Sequence, residues 1–329
     1  MKTLCFYISD YGLGHATRAI ALIRALVSAD DDLSVIAKTS GPGVILRRSV
    51  CHPRVETVDC RNESDIVLEP GRSVVDRART LEGFLAWTNG WDEWVARETE
   101  FCTARQVDLV LSDITPQAFE VADRSGVPGV AVSNFTWETI YHHLFPDRAE
   151  EVDLLRAAYN KATHACILPF EIEMDVFSRS ERVGLVTRTA TVPREEMRRR
   201  AGVGEDEFLV FVGRGAGLEG LPRDAGTRRG GGRGPEWGLP VDRTVSSARG
   251  TDAVRLLVPT GVSHPGALSI PATETESQHW IGMCDCVVAK CGYSTVSEAM
   301  RARLPLLVWK RDGFVEDVAI AGTIERLGI

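Results

Sequence analysis

The sequence predicts an α/β protein built from two parallel-sheet domains that face a common cleft, and three observations carry that reading. Short apolar, β-branched runs recur at residues 4–9, 33–37, 109–112, 130–133 and 165–168, separated by helical patterns such as 16–27 and 118–124. Runs that are apolar throughout, rather than alternating, belong to strands buried on both faces, and strands alternating with helices build a parallel sheet. A second series follows at 208–212, 255–258, 286–289 and 306–309. The 329 residues also exceed one typical core. The expected division is a first domain over 1–183, a linker over 184–207 with Pro193 and a charged helix at 194–200, and a second domain over 208–329.

Composition excludes several classes. Hydrophobic content of 44% and charge of 26% are ordinary for a globular protein. A net charge of −8 argues against nucleic-acid partners, since a phosphate backbone wants a basic surface. No apolar run approaches the length of a membrane span, and the N-terminus lacks a basic-then-apolar leader, so the expected location is cytoplasmic. Eight cysteines show no disulfide framework, and Cys284-x-Cys286-x4-Cys291 lacks paired metal-ligand spacing, so no metal site is expected. Asn62-Glu63-Ser64 and Asn134-Phe135-Thr136 match glycosylation sequons by chance on this reading.

Taken in order, the first strand ends in Ser9-Asp10-Tyr11-Gly12-Leu13-Gly14-His15, with the helix expected from about Ala16. Gly12-x-Gly14 begins a dinucleotide fingerprint, but Thr17 stands where the third glycine belongs, so NAD binding is weakly supported. His15 is either a satisfied residue at a helix start or a group that a ligand reaches across the two glycines. Asp30-Asp31-Asp32 follows the helix and reads as a solvated turn. Trp87, Trp91 and Trp94 fall on one face of one helix and read as core. Asp113 closes the strand at 109–112 on the same sheet edge as His15, 98 residues on. An Asp-His pair orients the imidazole while the ring removes a proton, although Asp113 could instead cap the turn at Thr115. The loop 126–137, carrying Asn134 and Trp137, offers an aromatic grip beside the cleft or plain packing.

The last strand-to-helix turn organises the rest. Lys290-Cys291-Gly292-Tyr293-Ser294-Thr295-Val296-Ser297-Glu298-Ala299 leaves unpaired N–H groups at a helix start, a seat for an anion, and Thr295-x-x-Glu298 also fits a capping box. With Leu304-Pro305-Leu306-Leu307-Val308 after it, this pattern resembles the donor half of nucleotide-sugar glycosyltransferases of the GT-B fold, two Rossmann-like domains facing a cleft. The nearest resemblances are the family-28-like enzymes and the glycosyltransferase-like front module of arabinokinases, which the segment 126–137 also resembles.

The resemblance implies Gly292, Ser294 and Thr295 on the donor diphosphate and Glu298 on the ribose. It further implies a Gly-rich loop with Gly12 and Gly14 ending in the base His15, an orienting Asp113, and Asn134 and Trp137 at the acceptor. The implied activity is inverting, metal-independent and cofactor-free sugar transfer from a nucleoside diphosphate, with a UDP-sugar favoured. Acceptors would be small-molecule or lipid-linked hydroxyls, the latter through peripheral membrane contact. Two alternatives stay open: a nucleotide-sugar-binding module without turnover, degenerate or kinase-associated, and a sugar-nucleotide 2-epimerase-like enzyme.

Two features depart from the family pattern. From 213 to 250, 18 of 38 residues are Gly or Arg, which reads as a frame-slipped stretch or a flexible insertion where relatives have a Gly-rich turn and a helix. The chain also stops at Ile329, where relatives continue with a helix packed on the first domain, so a truncated C-terminus is expected.

Overall fold

The computed structural model describes residues 1–70, 74–213, 254–262, 264, 266–311 and 313–328. The expectation for 214–250 lies outside the described residues.

The first sheet holds β1 (Lys2–Ile8), β2 (Leu33–Lys38), β3 (Val55–Val58), β4 (Leu109–Asp113), β5 (Gly129–Ser133), β6 (His164–Ile167) and β7 (Ser180–Arg182). They run parallel in the order β3-β2-β1-β4-β5-β6-β7. The second holds β8 (Phe208–Gly213), β9 (Val254–Val258), β10 (Leu268–Ser269), β11 (Cys286–Lys290) and β12 (Leu306–Trp309), parallel in the order β10-β9-β8-β11-β12. In each sheet the chain order reverses at a central pair, β1/β4 and β8/β11. The crevice beyond the carboxyl ends of such a pair is where open parallel sheets hold ligands.

The helices are α1 (Leu13–Ala29), α2 (Gly43–Ser49), α3 (Arg77–Asn89), α4 (Trp91–Ala104), α5 (Gln117–Ser125), α6 (Trp137–Leu144), α7 (Ala149–Tyr159), α8 (Arg194–Ala201), α9 (Ser277–Gly282), α10 (Tyr293–Arg301) and α11 (Val315–Leu327). One apolar cluster packs Ile20, Ile23 and Leu46 on the first sheet and runs through Phe170 into Leu209, Trp280 and Tyr293 of the second domain. The opposite face of the first sheet carries Phe84, Trp91, Trp94, Phe119, Tyr141 and Tyr159. Each such side chain contributes about 1.5–3 kcal/mol on burial, so the first sheet is covered on both faces, as its apolar strands require.

Three strands lie outside the sequence expectation: β3, β7 and β10 are short and polar or half-exposed, so no apolar run marks them. The tryptophan stripe is core, but it spans two helices. The helix breaks at Gly90, and Trp87 meets Trp91 across the break with ring centroids 5.7 Å apart.

Candidate active site

The carboxyl end of β1 turns through Gly12, whose φ of 74° lies in the left-handed region that glycine enters without a Cβ penalty. Helix α1 then starts at Leu13, three residues before the expected Ala16. His15 therefore sits inside the first helical turn, and its side chain is buried. Parallel pairing sets Ile8 opposite Asp113, which brings the end of β4 beside that turn. His15 Nδ1 lies 2.8 Å from Asp113 Oδ1, and the imidazole meets the Phe135 ring edge-on at 5.9 Å. In the tautomer that donates Nδ1–H to Asp113, the lone pair is on Nε2.

A third group completes this pair. Arg18, one turn along α1, donates from Nε to Asp113 Oδ2 at 2.6 Å and from Nη2 to Oδ1, while Nη1 donates to Asn134 Oδ1 at 2.6 Å. Burial alone would raise the Asp113 carboxyl. The charges of Arg18 and then His15 outweigh it and hold the group at about 2. Asn134, expected at the acceptor, is fully buried, and its Nδ2 donates to Glu316 Oε1 of the second domain at 3.3 Å. Trp137 is fully buried too, with its ring against Tyr11 and Phe135, so the packing reading describes it.

The opposing wall is the start of α10. Its N-cap is Gly292, and no side chain caps it, so the Thr295-x-x-Glu298 capping box does not form. Gly292, Ser294 and Thr295 are partly exposed there. Thr295 stands at the carboxyl end of β8, where a Cβ on Gly213 would meet its Cγ2 at 3.4 Å. Lys290 ends β11 with its Cε within 3.6 Å of a Cβ built on Gly292. Burial first, and the charge of Arg311 second, bring its amine down to about 8. The uncapped N–H groups and this cation favour negative charge at one point.

Glu298 departs from expectation. It is buried rather than a cleft-surface carboxylate, and its Oε1 accepts from Arg188 Nε at 3.0 Å and Nη2 at 2.8 Å. Burial pushes its carboxyl above the usual range, against the pull of Arg188. Arg188 comes from the segment between the sheets and also donates to Thr275 O at 2.5 Å and to Ser277 Oγ at 2.7 Å.

The two walls touch. Ser294 donates its hydroxyl to Gly14 O at 2.7 Å, and Thr17 Oγ1 lies 2.9 Å from Ser294 Oγ. A Cβ on Gly14 would come to 3.3 Å from Ser294 Oγ, so Gly14 permits close approach by the second domain itself. Arg18 also lies over the Tyr293 ring at 5.1 Å, and Arg24 binds Glu276 at 2.8 Å. Behind the His15 loop, the buried Glu63 accepts from Ser9 Oγ, Asp10 N at 2.7 Å and Thr115 Oγ1 at 3.1 Å. Burial, then the charge of Asp10, raise its carboxyl to about 8.

Sequence reasoning brought His15, Asp113, Gly292, Ser294 and Thr295 to this cleft, quoted Lys290 without giving it a role, and missed Arg18 and Arg188. Arg18 was accessible through its three-residue spacing from His15, which shares a helix face. Arg188 carried no signal, because its partner is 110 residues away.

No family model matches the chain. It is 26% identical over 334 residues to an L-arabinokinase of Arabidopsis thaliana, a match that covers 97% of this chain and 29% of that protein. Among solved structures it resembles UGT89C1 of Arabidopsis thaliana, with a TM-score of 0.62, 13% identity, and coverage of 99% of this chain and 83% of that one. UGT2 of Phytolacca americana, solved with UDP-2-fluoro-glucose and pterostilbene, gives a TM-score of 0.61 at 14% identity over 99% and 84%. The spinosyn forosaminyltransferase SpnP gives 0.59 at 14% over 100% and 84%. Two parallel sheets with their switch points facing, and this set of neighbours, show that the chain has the GT-B fold.

Proposed function

We propose that this chain transfers a sugar from a nucleoside diphosphate, with a UDP-sugar favoured, to an acceptor hydroxyl, with inversion and without a metal. One observation carries the reading: the uncapped start of α10 lies against the first turn of α1, so an anion seat and the His15–Asp113 pair occupy one place. Gly292, Ser294, Thr295 and Lys290 take the diphosphate there. His15 Nε2 removes the acceptor proton as the hydroxyl attacks the anomeric carbon from the face opposite the leaving diphosphate. Asp113 orients the ring and stabilises its protonated form, and Arg18 holds Asp113. The ribose falls to Glu298 through Oε2, the oxygen that Arg188 does not engage. The UDP preference rests on the solved neighbours whose names include UDP, UDP-L-rhamnose and UDP-2-fluoro-glucose.

A second reading, nucleotide-sugar binding without turnover, is favoured by one feature. Arg18 Nη2 stands 2.9 Å from His15 Nδ1, so Asp113 divides its charge between two partners. The match to under a third of an arabinokinase fits a module of this kind as well.

Single-turnover transfer with saturating UDP-glucose and an alkyl alcohol separates the readings. His15→Ala should lower the rate by about 100- to 10,000-fold while UDP affinity stays at the parent value, as for a positioned base. A near-parental rate removes His15 from the mechanism. UDP binding without transfer in the parent selects the second reading, and no UDP binding overturns both.

A further inference from the structure

The edge of the first sheet farthest from β3 carries a second constellation. Among the described residues, His164, Cys166 and Glu181 bring an imidazole nitrogen, a thiol and a carboxylate oxygen to within 4.8 Å of one another. Strand geometry explains the convergence. His164 and Cys166 are two residues apart on β6 and so share a face, and the register sets Glu181 of β7 directly opposite Cys166. His164 Nε2 and Glu181 Oε1 already stand 3.3 Å apart. In a tetrahedral zinc site, metal–ligand bonds of about 2.0–2.3 Å put ligand atoms roughly 3.3–3.8 Å apart, so shifts of about 1 Å at the side-chain ends would close the triangle. Those ends can move: the side chains of His164 and Glu181 are 40% and 62% exposed, and Cys166 is half-buried beneath them.

We propose that His164, Cys166 and Glu181 form a binding site for a zinc-class divalent cation at the β6–β7 edge. The donor set selects the cation. A thiolate beside an imidazole disfavours the hard ions magnesium and calcium and suits zinc or cobalt, with the fourth position left to water. On binding, the metal–sulfur bond replaces the S–H bond, and the proton leaves to solvent. This site differs from Cys284, Cys286 and Cys291, which the sequence places close together but which do not converge with histidine or carboxylate ligands among the described residues.

The position has a structural consequence. Strand β7 has three residues, all exposed, and the chain leaves it through Val183 toward the second domain. A metal bridging Glu181 to β6 ties that marginal edge strand to the sheet at the point where the interdomain segment begins. The proposal concerns a face of the first domain that takes no part in the cleft, and it stands or falls apart from the proposed transfer reaction.

Cobalt titration of the chelator-treated full chain tests it. The parent should gain a thiolate-to-cobalt charge-transfer band that saturates at one cobalt per chain and is lost on adding zinc. Cys166→Ser should lack the band, Glu181→Gln should weaken cobalt binding at least tenfold, and Cys51→Ser, which changes an exposed thiol elsewhere, should keep it. Zinc should raise the melting temperature of the parent and leave that of Cys166→Ser unchanged. If the metal-free melting temperatures match, loss of the band in Cys166→Ser reports lost ligation rather than misfolding. A band that survives in Cys166→Ser overturns the proposal. So does a parent without a band, and in that case His164 and Glu181 form a side-chain contact only.

Discussion

Arg18 grips Asp113 through two nitrogens, with Nε 2.6 Å from Oδ2 and Nη2 on the Oδ1 that also faces His15. The proposed base thus rests on a buried ion pair rather than on a free carboxylate, and the same guanidinium reaches Asn134 and the Tyr293 ring. Two buried charges are tolerated because each supplies the other's hydrogen bonds, and removing one strands the other.

Arg18→Met should therefore destabilise the protein by about 3–5 kcal/mol in urea unfolding, the range for breaking a buried pair. Arg18→Lys should cost less but still register, since an ammonium cannot reproduce the two-pronged contact. Asp113→Asn added to Arg18→Met should recover part of the loss, because it removes the stranded charge. Additive losses would show that the two residues do not act as a unit.

Glu298 carries a comparable penalty. Glu298→Ala leaves the buried Arg188 without its carboxylate, so it should lower stability by about 3–5 kcal/mol in addition to any effect on nucleotide affinity. Glu298→Gln keeps the shape and one acceptor oxygen and should lie between the two. Urea midpoints and UDP calorimetry on both variants separate the roles. A Glu298→Ala chain as stable as the parent would show that Arg188 finds its partners elsewhere.

Glu63 sets a pH dependence. Its carboxyl is raised to about 8 in the folded protein, against a usual carboxylate value near 4.3, so between these pH values the folded chain holds a proton that the unfolded chain releases. Stability should fall as pH rises across that window, by several kcal/mol at most. Asp113 acts in the opposite sense and lower down: its contribution is complete above the unfolded value and is lost as pH falls toward about 2. Glu63→Gln should flatten the slope between pH 5 and pH 8 in urea titrations. A slope unchanged by Glu63→Gln would assign it to other groups.

The strands that hold the site were legible because they are apolar throughout, and the Gly292–Thr295 turn through its resemblance to the donor half of GT-B glycosyltransferases, since its local pattern fits a capping box as well. His15 and Asp113 were legible as a pair because parallel pairing brings the ends of neighbouring strands to one edge. The environment of each was not. Arg188 meets Glu298, and Glu316 meets Asn134, from segments far away in the chain, and no local period records contacts between residues 110 and 182 positions apart. Asn134 and Trp137 look like loop residues in sequence, but the start of α6 packs beneath Tyr11 and turns both inward.

The contact between Gly14 and Ser294 gives the sharpest test of how the cleft works. Ser294 donates to Gly14 O at 2.7 Å, so a diphosphate that takes this hydroxyl must break the bond and part α1 from α10. Ser294→Ala removes both the latch and the donor contact, and the two losses oppose each other in nucleotide affinity. Gly14→Ala separates them. Its Cβ would stand 3.3 Å from Ser294 Oγ, so the hydroxyl must give by a few tenths of an ångström, which weakens the bond to Gly14 O while leaving the hydroxyl available to a ligand. A latch of one hydrogen bond is worth about 0.5–1.5 kcal/mol. Gly14→Ala should therefore bind UDP more tightly than the parent, by at most about two- to twelvefold, and Ser294→Ala should bind it more weakly than Gly14→Ala does. Calorimetry on the two variants decides the point. Equal affinity in the parent and Gly14→Ala would mean that the bond is not broken on binding, and the diphosphate would then have to be seated by Thr295, Lys290 and the backbone of Gly292 alone.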